Sequence, residues 1–356
     1  MEIFKAMAKD GHEQLVFCRN RAAGLKAIIA IHDTSLGPAL GGCRMWPYTT
    51  EEDAVVDVLR LSKGMTYKSA AAGCNYGGGK MVVWGDPQKD KSEAMFRALG
   101  RFVEGLNGRF LTGTDVGTVS GDFVWASYET DKVNALPEEY GGSGDSSIIT
   151  AFGVWKGMKA CAREVFGTES LKGLRIAVQG VGKVGFHLVG HLIEEGASVT
   201  IADINKAYVE RVTSKYAVTV VEPDAVYDVD CDVFSPCALG AVVNDDTIKR
   251  LKCKIIAGAA NNQLKEDRHG HELKARGILY APDYVINAGG MIQVVDELQG
   301  YNKERAFKKA AGIQDLLAKV FSISKRDNIP THKAADVMVE ERIQALSNVS
   351  QIYLRA

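Results

Sequence analysis

Two lysines and an aspartate are the residues in this chain best suited to moving protons. Lys68 lies in Met65-Thr66-Tyr67-Lys68-Ser69-Ala70-Ala71-Ala72-Gly73, and Lys80 closes the run Gly77-Gly78-Gly79-Lys80. Small or apolar neighbours surround both, whereas other lysines keep charged company, as in Lys89-Asp90-Lys91. An amine withdrawn from water beside a second cation loses its proton more readily and can act as a general base near neutral pH. Two lysines snorkelling at the surface are the plainer alternative. Asp115 sits among glycines and threonines, which suits a turn; next to a lysine it would complete an acid–base pair. In Gly41-Gly42-Cys43-Arg44, adjacent glycines can bare backbone N–H groups to a carboxylate while Arg44 adds charge, unless Gly-Gly is a plain turn.

A second group of residues belongs to nucleotide chemistry. Leu174 to Val178 is an apolar run leading into Gln179-Gly180-Val181-Gly182-Lys183-Val184-Gly185, and Val184, Leu188 and Leu192 then share one helical face. Another apolar run, Ser198 to Ala202, ends at Asp203, 23 residues after Gly180. Strand, glycine turn, helix, strand and acid follow in the order of a dinucleotide site. Gly180 permits the tight turn, Gly182 lets backbone approach a pyrophosphate, and Gly185 lets helix and strand pack. Asp203 is placed to accept hydrogen bonds from ribose hydroxyls. With Ile204 and Asn205 next and no arginine at hand, NAD is the expected cofactor rather than NADP, with Lys206 the one nearby cation.

These residues need elements to hold them. Thr49 and Glu52 fit a capping box ahead of a helical stripe through Ala54, Val55, Val58, Leu59 and Leu61. A second stripe runs from Ala94 to Leu106. Lys26 to Ile31 and Met81 to Trp84 read as strands, the second starting just after Lys80. Gly141 to Ser147 reads as a linker, followed by a helix over about 148–165. Strands are expected at 174–178, 198–202, 218–221, 230–234, 254–258 and 278–281, and a mostly helical remainder follows Ala288-Gly289-Gly290. The fold class is therefore α/β. An N-terminal α/β substrate domain (1–147) precedes a doubly wound Rossmann dinucleotide-binding domain (148–327), and the tail from about 328 returns to the first. That order places substrate in a cleft whose closure excludes water. Asn262, in Ala259-Ala260-Asn261-Asn262-Gln263, follows the 254–258 strand at the ligand-binding edge; it can hold an amine or a carboxamide, or cap a helix.

The whole chain excludes several classes. Its 356 residues allow two domains, and 46% hydrophobic with 24% charged residues is ordinary for a globular enzyme. A net charge of -1 recruits neither nucleic acid nor an anionic membrane. Seven scattered cysteines without a C-x-x-C pair read as free thiols in a reducing compartment. Nothing resembles a signal core or a membrane span, so a cytoplasmic protein is expected. No metal site is expected: His269 and His271 stand two apart with no ligand cluster at metal spacing.

The chain resembles the glutamate/leucine/phenylalanine/valine dehydrogenases over nearly its whole length. Matching stretches are Gly37 to Arg44, Lys63 to Lys68, Gly77 to Lys80, Asp115 to Thr118, Gly180 to Gly185, Ser235-Pro236-Cys237-Ala238-Leu239-Gly240 and Asn287 to Gly290. The resemblance implies that Lys80 is the catalytic lysine and Asp115 its partner, and that Lys68 with Gly41-Gly42 clamps the substrate α-carboxylate. It places Asn262 at the amino group and Thr150 at the nicotinamide end. Cys237, Ala238, Ala260 and Asn261 would line the cofactor beside the glycine turn. The implied reaction is reversible oxidative deamination of an amino acid to a 2-oxo acid, ammonia and NADH. Lys80, held neutral by Lys68 and the cofactor's ring, would take a proton from water attacking an iminium. Relatives of this kind are symmetric oligomers, so a homo-oligomer is expected.

Side-chain preference follows from a few positions. Glutamate-specific members carry a lysine where Leu40 stands and tend to a hydroxyl at Val294, so an apolar substrate is implied; an unpaired carboxylate there would be penalised. Thr112-Gly113-Thr114-Asp115 is similar to the phenylalanine enzymes, with Gly113 leaving room for a ring, whereas Met291 replaces a usual valine and narrows another wall. L-Phenylalanine/phenylpyruvate with ammonium is thus the expected substrate set, and leucine the second. A shikimate- or malate-type carbonyl dehydrogenase and a non-catalytic NAD-binding module are the remaining alternatives.

Overall fold

The computed structural model describes residues 1–350. Contacts divide the chain into one unit of Met1–Gly144, Val294–Asn302 and the stretch from Glu341, and another of Asp145–Gln293 and Lys303–Glu340. The division falls close to the glycine-rich segment read as a linker, but Val294–Asn302 groups with the first unit. Glu297 explains this, because its carboxylate accepts hydrogen bonds from the backbone of Ala135 (2.7 Å) and from the Ser143 backbone (2.9 Å) and hydroxyl (2.5 Å). The segment around Ser143 is therefore tethered, not a bare linker.

The first unit comprises α1 (Ile3–Asp10), β1 (Gln14–Asn20), β2 (Leu25–Asp33), β3 (Ala39–Leu40), β4 (Cys43–Trp46), α2 (Glu51–Ala71), β5 (Gly77–Trp84), α3 (Glu93–Glu104), β6 (Phe110–Leu111) and α4 (Ser120–Ser127). Its sheet runs β1-β2-β5-β3-β6, with β4 also on β5. Both β2 and β5 are apolar on both faces, as strands covered from two sides must be. Alternation sorts them: Ile29, Ile31, Met81 and Val83 join Phe96, Leu99, Phe110 and Phe123 in one core. Ile28, Ala30 and Val82 join Val55, Val58 and Leu59 of α2 in another. By that period of two, Lys80 shares the α2 face with Val82.

The glycines before Lys80 lie inside β5 rather than ahead of it. They are there for packing: a Cβ on Gly78 would fall 2.0 Å from the Thr66 hydroxyl of α2, and one on Gly79 2.7 Å from the Phe110 ring. The cap of α2 sits one residue later than the sequence pattern suggests. Thr50 accepts from the Asp53 amide while Asp53 accepts from Thr50, and Glu52 instead takes the N-terminal amine of Met1.

The second unit opens with α5 (Ser147–Phe166) and alternates β7 (Arg175–Gln179), α6 (Lys183–Glu194), β8 (Ser198–Ala202), α7 (Lys206–Thr213), β9 (Thr219–Val220), β10 (Val233–Pro236), α8 (Thr247–Arg250), β11 (Ile255–Ile256), α9 (Asp267–Ala275) and β12 (Leu279–Tyr280). The strands order as β12-β11-β10-β7-β8-β9, all parallel, with the reversal at β7 that makes a doubly wound sheet. Helices α10 (Asp283–Ile286), α11 (Gly289–Glu297), α12 (Lys303–Ala311), α13 (Ile313–Asp327) and α14 (Thr331–Ser350) complete the chain. The division between units crosses α11 and α14, so the tail returns to the first unit from Glu341 and not from 328. Within that unit Arg342 donates to the carbonyls of Ala70 (3.0 Å) and Cys74 (2.8 Å), closing the C-terminal end of α2. Among the described residues, no helix is long and apolar enough to cross a membrane.

Candidate active site

Lys80 projects from the middle of β5 with its side chain only 7% exposed, and its Nζ lies 3.0 Å from Asp115 Oδ2. Arg44 Nε lies 3.1 Å from the same oxygen. Burial alone would push the Asp115 carboxyl up; the Lys80 ammonium and the Arg44 guanidinium outweigh it and hold the group below the usual carboxylate range. Asp115 is further fixed through its backbone amide, which donates to Thr118 Oγ1 (2.9 Å), while that hydroxyl donates to the Cys43 carbonyl. Sequence reasoning paired Lys80 with Asp115, and the fold brings them into contact.

Arg44 has a different position from the one expected. Its Nη1 donates to Asp57 Oδ2 at 3.0 Å, and that oxygen also accepts from Tyr48 at 2.7 Å. The guanidinium bridges two carboxylates, so a strand residue, a helix residue and the acid beside Lys80 form one chain of charge. Asp57 and Tyr48 carried no motif; they are found through α2 packing on the sheet. Gly41 also does less with its N–H group than the clamp reading requires. The Gly41 amide donates to the Leu111 carbonyl (3.1 Å), and a Cβ there would fall 1.7 Å from the Gly79 carbonyl oxygen. At Gly42 it would lie 2.5 Å from the Thr114 carbonyl oxygen. These glycines let strands approach. Lys68 is half-buried in the last turn of α2, and Leu40 is buried in β3.

Gly113 corrects the pocket reasoning. A Cβ on it would lie 1.9 Å from Asn134 Oδ1 and 2.9 Å from the Asn134 carbonyl oxygen. The space freed by the absent methyl is filled by that amide, not left open. Asn134 is 3% exposed, and among the described residues its Nδ2 has no hydrogen-bond partner. On α11, Met291 is buried and Val294 half-buried.

In the second unit the glycine turn has the local geometry its spacing predicts. Gly180 has φ +91°, and a Cβ on it would fall 2.6 Å from that of Ala238. A Cβ on Gly185 would fall 2.1 Å from the Gly180 carbonyl oxygen, whereas at Gly182 the nearest atom is 3.9 Å away, on the Tyr208 ring. The first and third glycines thus serve packing, and the middle one keeps the turn approachable. Asp203 accepts from the amides of Val181 (2.8 Å) and Asn205 (2.8 Å), which fixes it beside the turn.

An arginine is in fact present there. Arg211, on α7, donates to the carbonyls of Val181 (3.0 Å) and Gly182 (2.9 Å) and lies 4.3 Å from the Phe186 ring centroid. No sequence signal pointed to it. Lys183 pairs with Asp145 at 3.6 Å, Val184 is half-buried and Ile204 is exposed. Thr150 donates its hydroxyl to the Ser146 carbonyl (2.8 Å), so that contact competes with any ligand. Asn261 accepts from Asn287 through its side-chain oxygen (2.7 Å). Asn262 is exposed at φ +51° and caps no helix, because α9 starts at Asp267. Burial raises the Cys237 thiol, while Ala238 is exposed and Ala260 buried.

A doubly wound unit with a glycine turn, joined in one chain to a unit holding a buried lysine–carboxylate pair, defines the class of dinucleotide-dependent dehydrogenases. The family model for the Glu/Leu/Phe/Val dehydrogenase dimerisation domain matches residues 12–132, and that for Glutamate/Leucine/Phenylalanine/Valine dehydrogenase matches residues 200–348. The chain belongs to this family of oxidoreductases. It is 59% identical to a leucine dehydrogenase of Bacillus cereus, covering 100% of this chain and 97% of that protein. It is 54% identical to a phenylalanine dehydrogenase of Thermoactinomyces intermedius, covering 99% and 97%. The crystal structure of L-tryptophan dehydrogenase from Nostoc punctiforme superposes with a TM-score of 0.88 at 45% identity, covering 97% of this chain and 99% of that one.

Proposed function

We propose that this chain catalyses the NAD-dependent, reversible oxidative deamination of L-phenylalanine to phenylpyruvate and ammonia. The buried contact between Lys80 and Asp115 carries the reading. Two oppositely charged groups sharing a hydrogen bond offer a path along which a proton can pass. Lys80 then accepts a proton from the water that attacks the α-carbon, and Asp115 returns one to the departing amine. Arg44 and Asp57 keep the acid aimed, and Lys68 holds the substrate α-carboxylate. NAD, when bound, supplies the acceptor for the α-hydrogen as hydride. The approachable Gly182, Asp203 fixed beside Val181 and the close packing at Gly180 and Gly185 fit that cofactor. Arg211, already donating to two carbonyls of the turn, is not set out for a 2′-phosphate.

An apolar substrate side chain is supported by Leu40, whose buried side chain offers a carboxylate no charge. Phenylalanine is favoured by Thr112-Gly113-Thr114-Asp115, the stretch similar to the phenylalanine enzymes. Leucine is the second reading, favoured by the 59% identity to a leucine dehydrogenase against 54% to a phenylalanine enzyme. Phenylpyruvate, 4-methyl-2-oxopentanoate and 2-oxoglutarate, each assayed with ammonium and NADH, separate the readings. Higher kcat/KM on the branched acid would replace phenylalanine by leucine. NADH oxidation without ammonium would point to a carbonyl dehydrogenase, and nucleotide binding without any turnover to a binding module. A homo-oligomer assembled through the first unit is part of this proposal, supported by the dimerisation domain its residues match.

A further inference from the structure

Away from these residues, the second unit gathers a carboxylate and two imidazoles that the proposed reaction does not use. Asp267 and His271 stand four apart on α9, which places them on one helix face. His332, in the first turn of α14, comes over that face. It can do so because residue 270 has no side chain: a Cβ on Gly270 would fall 2.2 Å from Cε1 and Nδ1 of the His332 ring. His332 Nε2 lies 3.2 Å from Asp267 Oδ1, and His271 Nε2 lies 3.7 Å from Asp267 Oδ2. The two imidazoles meet edge to face with centroids 5.6 Å apart, and one ligand atom from each of the three residues lies within 4.8 Å of the others.

Those spacings have a chemical meaning. Tetrahedral zinc with ligands at about 2.0–2.1 Å requires donors about 3.3 Å apart. Each imidazole lies within a few tenths of an ångström of that value from the carboxylate, His332 from Oδ1 and His271 from Oδ2, and the full set of one donor per residue fits within 4.8 Å. His271, 57% exposed, can close the remainder by a side-chain rotation. Lys333 Nζ lies 2.5 Å from Asp267 Oδ1, so an ammonium supplies the positive charge that the carboxylate otherwise lacks. The Lys333 side chain is 40% exposed and can swing into water.

We propose that Asp267, His271 and His332 form a binding site for a divalent transition metal, zinc by the chemistry of the donors, which staples the start of α14 to α9. Lys333 is its internal competitor. Residue spacing alone does not show this cluster, because the third residue comes 61 positions after His271 and is seated by a glycine. His269, two residues before His271, turns elsewhere and accepts the Glu266 amide at 3.1 Å.

The test is calorimetric titration of the chelator-stripped full chain with Zn²⁺, followed by Co²⁺ absorption as a probe of coordination. One Zn²⁺ per chain is expected, with a rise in Tm. Affinity should fall at least tenfold in His271→Ala and in His332→Ala, and should rise severalfold in Lys333→Met. That gain cannot arise from misfolding. Zn²⁺ binding that persists unchanged in the His271→Ala/His332→Ala double variant, or Lys333→Met binding no tighter than the parent, overturns the proposal.

Discussion

Gly113→Ala separates two accounts of substrate choice. If this residue merely widened a pocket, an added methyl would shave the space for a ring, lowering kcat/KM on phenylalanine and sparing leucine. The structure predicts otherwise, because the methyl would arrive 1.9 Å from Asn134 Oδ1, far inside contact distance, with the Asn134 carbonyl oxygen 2.9 Å away. Asn134 is almost fully buried, so its amide cannot swing into water. Overpacking of this kind costs about 1–3 kcal/mol, which would appear as a lower midpoint in denaturant unfolding. Catalysis should fall on both substrates together, since the Thr112–Asp115 segment that carries Asp115 must shift. The further substitution Asn134→Ala should restore most of the stability and leave a changed phenylalanine-to-leucine ratio. One methylene is worth about 1–3 kcal/mol in discrimination, or roughly ten- to 200-fold. A Gly113→Ala variant that unfolds like its parent and loses only phenylalanine turnover would refute the role given to Asn134.

Lys80→Ala should lower kcat by several orders of magnitude while NADH binding, read by fluorescence, is retained. Asp115 would still pair with Arg44, so the variant should stay folded, unlike one that orphans a buried charge at a cost of about 3–5 kcal/mol. Asp57→Asn leaves Arg44 with one carboxylate partner instead of two and draws it towards Asp115; the acidic limb of the kcat–pH profile should move to lower pH, with little change in KM for NAD. Asp115 has a carboxyl held below its unfolded value, so its stabilisation is complete above about pH 4 and is lost as pH falls through the folded value. Urea unfolding of Asp115→Asn should therefore weaken less on acidification than that of the parent.

What the sequence revealed was local. The dinucleotide turn was legible because strand, glycines, helix and Asp203 lie within 30 residues and each obeys its own steric rule. The helical stripe of α2 was legible too, although its cap moved by one residue once Glu52 found another partner. Non-local demands stayed hidden. Arg44 looked like a substrate clamp because Asp57 and Asp115, 13 and 71 residues away, become its neighbours only when α2 packs on the sheet. Gly41, Gly78 and Gly113 looked like loop or pocket residues, yet each answers to a backbone or side chain brought in from elsewhere. Arg211 reaches the turn from a helix whose own pattern is unremarked.

Arg342 ties the stretch from Glu341 to the helix it grouped with in the first unit. Because it seals the end of the helix bearing Lys68, a preparation nicked by proteases before position 342 would retain every candidate site residue and still bind amino acid poorly. Batch-to-batch differences in specific activity would then track C-terminal integrity, measurable by intact mass.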